Sequence, residues 1–145
     1  MKKKVLLGLL VVIAIGAMVI FSNRKAEPFG YKDLVILEAP LPEAQVVSPL
    51  VIKGKARGQW FFEASFPVIL ADWDGRIIAQ GIAQANPPAG GDWMTENFVP
   101  FEATLEFVKP EFIGDFSKRG FLILKKDNPS GLPEHDDALE IPLVF

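Results

Sequence analysis

The sequence predicts an all-β fold, an antiparallel β-sandwich of about seven strands preceded by one N-terminal transmembrane helix. Three observations support this prediction. The chain begins with a long apolar run, it continues with short apolar or alternating runs separated by turn residues, and it contains no amphipathic helical pattern. Its 145 residues leave room for a leader and one domain. Because cysteine is absent, neither a disulfide framework nor a thiolate metal site is available.

The leader consists of MKKK and an apolar run from Val5 to Phe21. As a helix with a rise of 1.5 Å per residue, this run would span roughly 26 Å, which is close to the ~30 Å hydrocarbon core of a bilayer. The small-x-small pattern of a cleavage site is missing, since Val19 and Phe21 are bulky. Residues 1–25 are therefore expected to form an uncleaved signal-anchor, and secretion after cleavage of the leader is the alternative.

Positive charge is denser before the apolar run than after it. Three lysines and the terminal amine precede the run, whereas only Arg24 and Lys25 follow it closely. Such a bias favours a cytoplasmic N-terminus. We therefore expect a single-pass protein of the cytoplasmic membrane, with its domain on the extracytoplasmic side.

The part of the chain beyond Ala26 is acidic. It contains ten Lys or Arg and eighteen Asp or Glu residues, so its net charge is about 10 − 18 = −8. An acidic domain with scattered cations repels phosphate backbones. We therefore expect no nucleic-acid partner.

Residues 26–45 are predicted to be a linker with one candidate edge strand, Leu34–Leu37, because prolines and glycines flank a single short apolar run. Residues 46–145 are predicted to form the sandwich domain. Its strands are expected at Val46–Ala56, Phe66–Ala71, Ile77–Ala85, Phe98–Phe107, Phe121–Lys125 and Leu139–Phe145.

Two strands show the period-two pattern most clearly. In FEATLEF, which ends at Phe107, apolar residues alternate with Glu and Thr, and the C-terminal LEIPLVF alternates in the same way. Pro142 lies on the opposite face of the last strand, as suits an edge strand that lacks one ladder hydrogen bond. The tetrad DWDG, Asp72 to Gly75, predicts a hairpin turn between two of the runs.

The loop KKDNPSGLPEHDD, residues 125–137, contains the residue types of a hydrolytic triad, Ser130 and His135 with Asp136 or Asp137. It lacks the G-x-S-x-G elbow that exposes a nucleophile. Turn chemistry accounts for the stretch better, with Asn128 first, Pro129 second and Gly131 fourth in a type I turn. We expect no catalytic residues, and a serine hydrolase is a minor alternative.

The same loop is rich in hard oxygen ligands, so that calcium is a weaker alternative to a purely structural loop. The candidate ligands are Asp127, Glu134, Asp136 and Asp137. Their spacing fits no EF-hand pattern, and a single histidine cannot form a zinc site alone. No cofactor is expected.

Aromatic side chains cluster in GQWFFEASFPV, residues 58–68. In an extended chain Trp60 and Phe61 point to opposite faces, so one of the rings is expected outside the core. These two residues, with Trp73 and Trp93, form a candidate interaction surface. The alternative is that the rings close the ends of the hydrophobic core.

Four ordered motifs carry a family resemblance: GKARGQWFFEASFPV, DWDGRIIAQGIAQA, GDWMTENFVPFEATLEF and LILKKDNPSGLPEHDDALEIPLVF. Over about Val46 to Phe145, roughly two-thirds of the chain, the sequence resembles the bacterial spore germination immunoglobulin-like domain family. This resemblance implies an immunoglobulin-like fold in an exported, envelope-associated protein with a binding or scaffolding role. It brings no established catalytic residues.

Together, these features predict a membrane-anchored, noncatalytic interaction module of the bacterial cell envelope, with a germination link implied only by the resemblance. Its expected partner is an envelope protein or a cell-wall glycan, besides the membrane itself. The alternative from another class is a structural spacer that is stabilised by a calcium-binding loop.

Overall fold

The computed structural model describes residues 27–145, and the predicted anchor at residues 1–25 lies outside them. No helix in the described part is long and apolar enough to cross a bilayer. This part consists of eight strands and three single-turn 3₁₀ helices. The strands are β1 Phe29–Tyr31, β2 Val35–Ala39, β3 Leu50–Arg57, β4 Ser65–Asp72, β5 Ile77–Ala85, β6 Phe98–Leu105, β7 Arg119–Lys125 and β8 Ala138–Val144; the 3₁₀ helices are Gly58–Trp60, Asp115–Lys118 and Pro133–His135.

The strands form one antiparallel sheet in the order β1-β2-β3-β6-β5-β4-β7-β8. Only two residue pairs, Gln84 with Glu102 and Ala85 with Phe101, join β5 to β6. At the other side, Gln45 forms a parallel bridge with Val144. The sheet therefore folds over on itself through this short junction, and its two halves enclose a common core. The all-β prediction is confirmed, and each of the seven predicted strands is present.

Alternating burial along the strands builds this core. In β6 every second residue is buried, and β3 shows the same alternation. Phe66 of β4 and Phe101 of β6, which are not neighbours in the sheet, meet edge-to-face with ring centroids 4.9 Å apart. Such aromatic pairs stabilise the contact between the two halves beyond simple area burial.

Residues 27–45 do not form the predicted linker. They supply β1 and β2, and β2 pairs with β3 along most of its length. Val35 and Leu37 are fully buried. The candidate strand predicted at Leu34–Leu37 is present as β2, but it is not an edge strand, because β1 pairs with its other side. Since its inward side chains belong to the core, the domain begins before the predicted boundary at residue 46.

The prediction that the last strand lies at an edge is confirmed. β8 is the terminal strand of the sheet, and Pro142 accepts a hydrogen bond at its carbonyl from the Glu43 amide over 2.7 Å. Val46 and Val144 continue this contact, since the Val46 amide donates to the Val144 carbonyl over 2.8 Å. Part of the exposed edge is thus covered by the segment before β3, which protects it from pairing with other chains.

Strict antiparallel order sorts the connections to two ends of the domain. The end at which β1 begins, called here the entry end, carries the loops at residues 40–49, 73–76 and 106–118 and the C-terminus. The opposite end carries the connections at residues 32–34, 58–64, 86–97 and 126–137.

The DWDG turn forms as predicted. The Gly75 amide donates to the Asp72 carbonyl over 3.0 Å, and the Asp72 amide donates to the Arg76 carbonyl over 2.9 Å. Gly75 has φ +79°, which glycine adopts without steric cost. The Asp72 carboxylate also accepts from the Asp74 and Arg76 amides, so it fixes the three-residue loop from within.

A tighter turn precedes β4. The Phe62 and Ser65 backbones exchange hydrogen bonds of 3.0 and 3.1 Å, and the residues between them, Glu63 and Ala64, have φ +49° and +61°. Positive φ at both central positions is typical of a type I′ turn, which favours Asn and Gly.

We expect Ala64→Gly to raise the free energy of unfolding by about 0.5–1 kcal/mol. The relief of left-handed backbone strain exceeds the added entropy of the unfolded chain. Chemical denaturation checks this, with Ala79→Gly inside β5 as the control that should destabilise. A lower stability for Ala64→Gly would show that the turn is not strained.

Candidate functional site

Trp60 and Phe61 do not lie on the candidate interaction surface, and the alternative, that the rings belong to the hydrophobic core, is confirmed for both. Their exposed fractions are 0% and 5%, and both rings pack against Phe66, at centroid distances of 6.5 and 5.3 Å. The chain here is not extended, because the 3₁₀ helix Gly58–Trp60 turns it. Consecutive rings therefore enter the same core, and Phe62, with an exposed fraction of 41%, is the ring that faces outward.

Trp73 and Trp93 do not join one surface. Trp73 lies in the β4–β5 hairpin at the entry end, where it meets Phe116 edge-to-face at 5.1 Å. Trp93 is half-buried in the connection at residues 86–97, at the opposite end. The four predicted residues are thus divided between the core and both ends of the domain.

The turn predicted in residues 126–137 is confirmed. The Gly131 amide donates to the Asn128 carbonyl over 3.2 Å, and Gly131 has φ +66°. The Asn128 amide group donates to the Leu132 carbonyl over 2.9 Å and to the Asp136 carboxylate over 2.8 Å. The side chain of Asn128 therefore ties the start of the loop to its end.

Ser130 and His135 lie together in this loop. Ser130 Oγ is 3.0 Å from His135 Nδ1 and 2.6 Å from Asn128 Oδ1, and it also accepts from the Leu132 amide. A triad requires a carboxylate on the other ring nitrogen of the histidine. Among residues 27–145, no carboxylate hydrogen bonds to His135 Nε2. The contacts of Ser130 therefore shape the loop.

The predicted calcium ligands are not gathered around one point. Asp136 accepts from Asn128, whereas Asp137 accepts from the Tyr31 hydroxyl over 2.9 Å and from Lys32 over 3.1 Å. Asp127 and Glu134 take no part in either contact. Within the described residues, no group of three or more His, Cys, Asp or Glu side chains is arranged to hold a metal ion.

Asp137 links two loops at the opposite end. It lies at the end of the loop at residues 126–137, and its partners Tyr31 and Lys32 lie at the β1–β2 turn. Partial burial disfavours its charge, but hydrogen bonds from Lys32, Tyr31 and the Ala138 amide outweigh burial and lower the pKa of the Asp137 carboxyl. The ionised form is thus bound more strongly in the folded state than in the unfolded state.

The pKa of Asp137 is lower in the folded state than in the unfolded state. The stability that ionised Asp137 contributes is therefore fully present above the unfolded-state pKa, and it is lost as the pH falls through the folded-state pKa. We expect Asp137→Asn to cost about 1 kcal/mol at pH 7, with the difference from the parent shrinking below about pH 4. Urea denaturation at several pH values checks this. Asp127→Asn is the control, and a pH-independent difference for Asp137→Asn would contradict the linkage.

Two neighbouring cavities open at the opposite end. The first, of about 260 Å³, is called here the loop groove; it is lined by Gln59, Phe61, Phe62, Lys126, Asp127, Asn128, Pro129, Ser130 and His135. The second, of about 340 Å³, is lined by Lys32, Asp33, Leu34, Arg57, Gln59, Thr95 and Glu96. Gln59 lines both, so the two cavities form one polar surface with a single exposed ring, Phe62.

Arg57 cross-links the part of this surface that surrounds the second cavity. Its guanidinium donates to the Asp33 carboxylate over 2.7 Å and to the Glu96 carbonyl over 3.0 Å, and it stacks on Phe98 at 4.1 Å. One side chain therefore joins the β1–β2 turn to the connection at residues 86–97. Such preorganisation reduces the entropy that a surface loses when it binds a partner.

The sequence reasoning missed Gln59 and Phe62 as surface residues. No local signal marks Phe62, because the central residues of its turn, Glu63 and Ala64, are not the Asn and Gly that a type I′ turn favours. Gln59, an isolated glutamine next to tryptophan, carries no signal either.

Residues 34–120 match the model of an immunoglobulin-like domain. The family is Gmad2, described as the immunoglobulin-like domain of bacterial spore germination, and because the match covers more than half of the 145 residues, the chain belongs to this family. The predicted resemblance is confirmed, although the match runs over residues 34–120 rather than from about Val46 to Phe145, so the fourth motif, which begins at Leu122, lies outside it. Neither the curated proteins nor the solved structures compared with the chain gave a match.

Proposed function

We propose that the protein is a noncatalytic interaction module of the bacterial cell envelope, held at the cytoplasmic membrane by its N-terminal apolar run and displayed on the extracytoplasmic side. Its binding surface is the opposite end of the domain. The observation that carries this proposal is the rigid polar surface formed by the loop groove and the adjoining cavity, which share Gln59.

The direction of the strands supports this arrangement. β1 begins at the entry end, so the chain that leads back to the apolar run leaves the domain there. The surface around Phe62 consequently faces away from the proposed anchor. A partner in the envelope would reach it without approaching the bilayer.

The chemistry of the surface suits a polar partner with some apolar contact. Phe62 supplies one exposed ring, while Gln59, Lys126 and Asp127 supply donors and acceptors around it. A ring beside hydrogen-bonding side chains fits an envelope protein or a cell-wall glycan. The hydrogen bonds within residues 126–137 keep these groups in place before binding.

Binding should depend on Gln59 and Phe62. Immobilised residues 27–145 are expected to retain an envelope protein or purified wall glycan, with affinity about tenfold lower for Phe62→Ala and for Gln59→Ala. The matched control is Ile82→Ala, which removes a half-exposed side chain from the face of β5. Equal loss in all three variants, or no loss in the first two, would reject this surface.

The Ser130 and His135 contact motivates a hydrolase as the second candidate. The full chain is expected to be inactive on ester, peptide and glycan substrates, because the pair has no carboxylate behind the histidine and Ser130 already contacts Asn128. Turnover that disappears in Ser130→Ala would instead establish the hydrolytic role.

A further inference from the structure

Exposed apolar side chains are concentrated in the loops of the entry end. Five large ones lie there, with exposed fractions between 41% and 87%: Val47, Trp73, Val108, Ile113 and Phe116. The connections at the opposite end carry three, Phe62, Met94 and Leu132. Water-exposed apolar loop tips clustered at one end mark a surface that meets another apolar phase.

The geometry of the entry end supports contact with lipid. The hairpin at residues 73–76 and the loop at residues 106–118 enclose a cleft of about 380 Å³, whose apolar lining includes Trp73, Ile78 and Ile113. Trp73 and Phe116 meet edge-to-face above the sheet. Tryptophan has an apolar body and a polar N–H group, and it is enriched where membranes meet water.

The length of chain before the described residues fixes how far this end can lie from the bilayer. Five residues, 22–26, separate the end of the apolar run at Phe21 from Glu27. Fully extended, they reach at most about 18 Å. Since β1 begins at the entry end, a domain on this tether keeps its entry end, and not the loop groove, near the headgroups.

We propose that the entry end rests on the membrane surface, with Trp73, Val108, Ile113 and Phe116 in the lipid interface. This proposal rests on the proposed function, because the anchor brings the lipid within reach. The tether raises the effective concentration of lipid at these loops, so weak apolar contacts suffice. The acidic domain gains nothing from anionic lipid, and the contact is expected in zwitterionic vesicles.

Two tryptophans at opposite ends provide the test. Two variants of the full chain, Trp93→Phe and Trp73→Phe, are each reconstituted into phosphatidylcholine vesicles. Each variant is measured with and without brominated acyl chains. Both variants retain the buried Trp60 as a common background. In Trp93→Phe, the Trp73 emission should fall by about half in brominated vesicles, because interfacial tryptophan lies at headgroup level. In Trp73→Phe, the remaining emission should not change.

The proposal is overturned if the two variants are quenched equally, or if Trp93→Phe is not quenched at all. Absence of quenching in Trp93→Phe is also the result expected if a second copy of the chain, rather than lipid, covers Trp73. A further variant, Val108→Asp with Ile113→Asp, should abolish the quenching of Trp73 while the protein still floats with the vesicles. Quenching that persists in this variant contradicts the assigned contact. If the parent chain does not float with vesicles, the anchor itself fails, and the proposed function fails with it.

Discussion

Replacement of Trp60 by alanine is expected to lower the free energy of unfolding by about 3–5 kcal/mol. The side chain is fully buried, and it meets Tyr31 and Phe66 edge-to-face at centroid distances of 6.2 and 6.5 Å. Its removal leaves a cavity between the β1–β2 turn and the core, which the sheet cannot close without moving β1. The loss of the ring also removes two aromatic contacts.

Chemical denaturation of residues 27–145 checks this prediction. Trp60→Phe is the informative control, because Trp60 Nε1 has no hydrogen-bond partner among the described residues. Phenylalanine keeps most of the apolar volume and removes the unpaired N–H group, so its cost should be well below that of alanine. Equal costs for the two variants would show that the tryptophan does not pack as described.

Gly58→Ala is expected to be the second most damaging change, at the upper end of the ~1–3 kcal/mol that overpacking costs. A Cβ atom at Gly58 would clash with the carbonyl oxygens of Thr95 and Trp93. These are backbone atoms, so no rotation of a side chain relieves the clash. The connection at residues 86–97 must move away.

Thermal or chemical unfolding measures this effect, and Gly30→Ala provides a matched control. Gly30 lies in β1, and nothing lies within 4 Å of the position of its Cβ. Gly30→Ala should therefore be close to neutral. If Gly58→Ala is equally neutral, the connection at residues 86–97 does not pack against Gly58. Because Glu96 of this connection contacts Arg57, Gly58→Ala should also weaken binding at the opposite end.

The strands could be predicted from the sequence because one face of each is buried. Period-two alternation located β6 and β8 almost to the residue, and turn chemistry located Gly75 and Gly131. These signals are local. A residue that faces a core is usually apolar wherever its partners come from, and a positive φ favours glycine, as at Gly75 and Gly131, although Glu63 and Ala64 adopt it without glycine.

The missed features depend on non-local contacts. β1, at Phe29–Tyr31, is only three residues long, and it is held by pairing with β2. Trp60 and Phe61 were predicted to face opposite sides because an extended chain was assumed, whereas a 3₁₀ turn directs both inward. Both rings pack against Phe66, which lies beyond the turn.

The candidate site was only partly readable for the same reason. The loop containing Asn128 and Gly131 was correctly predicted as a turn, but its link to Tyr31 through Asp137 joins residues more than one hundred positions apart. Gln59 lines two cavities only because four connections meet there, at residues 32–34, 58–64, 86–97 and 126–137. Nothing in the residues around Gln59 specifies that meeting.

The central claim is that the surface around the loop groove faces the outside of the cell. Because the chain has no cysteine, Glu134→Cys gives the full chain a single thiol on the exposed 3₁₀ helix Pro133–His135. The measurement is labelling of this thiol by a membrane-impermeant maleimide in intact cells and in lysed cells. Equal labelling before and after lysis is the predicted result, and labelling that requires lysis would contradict the account.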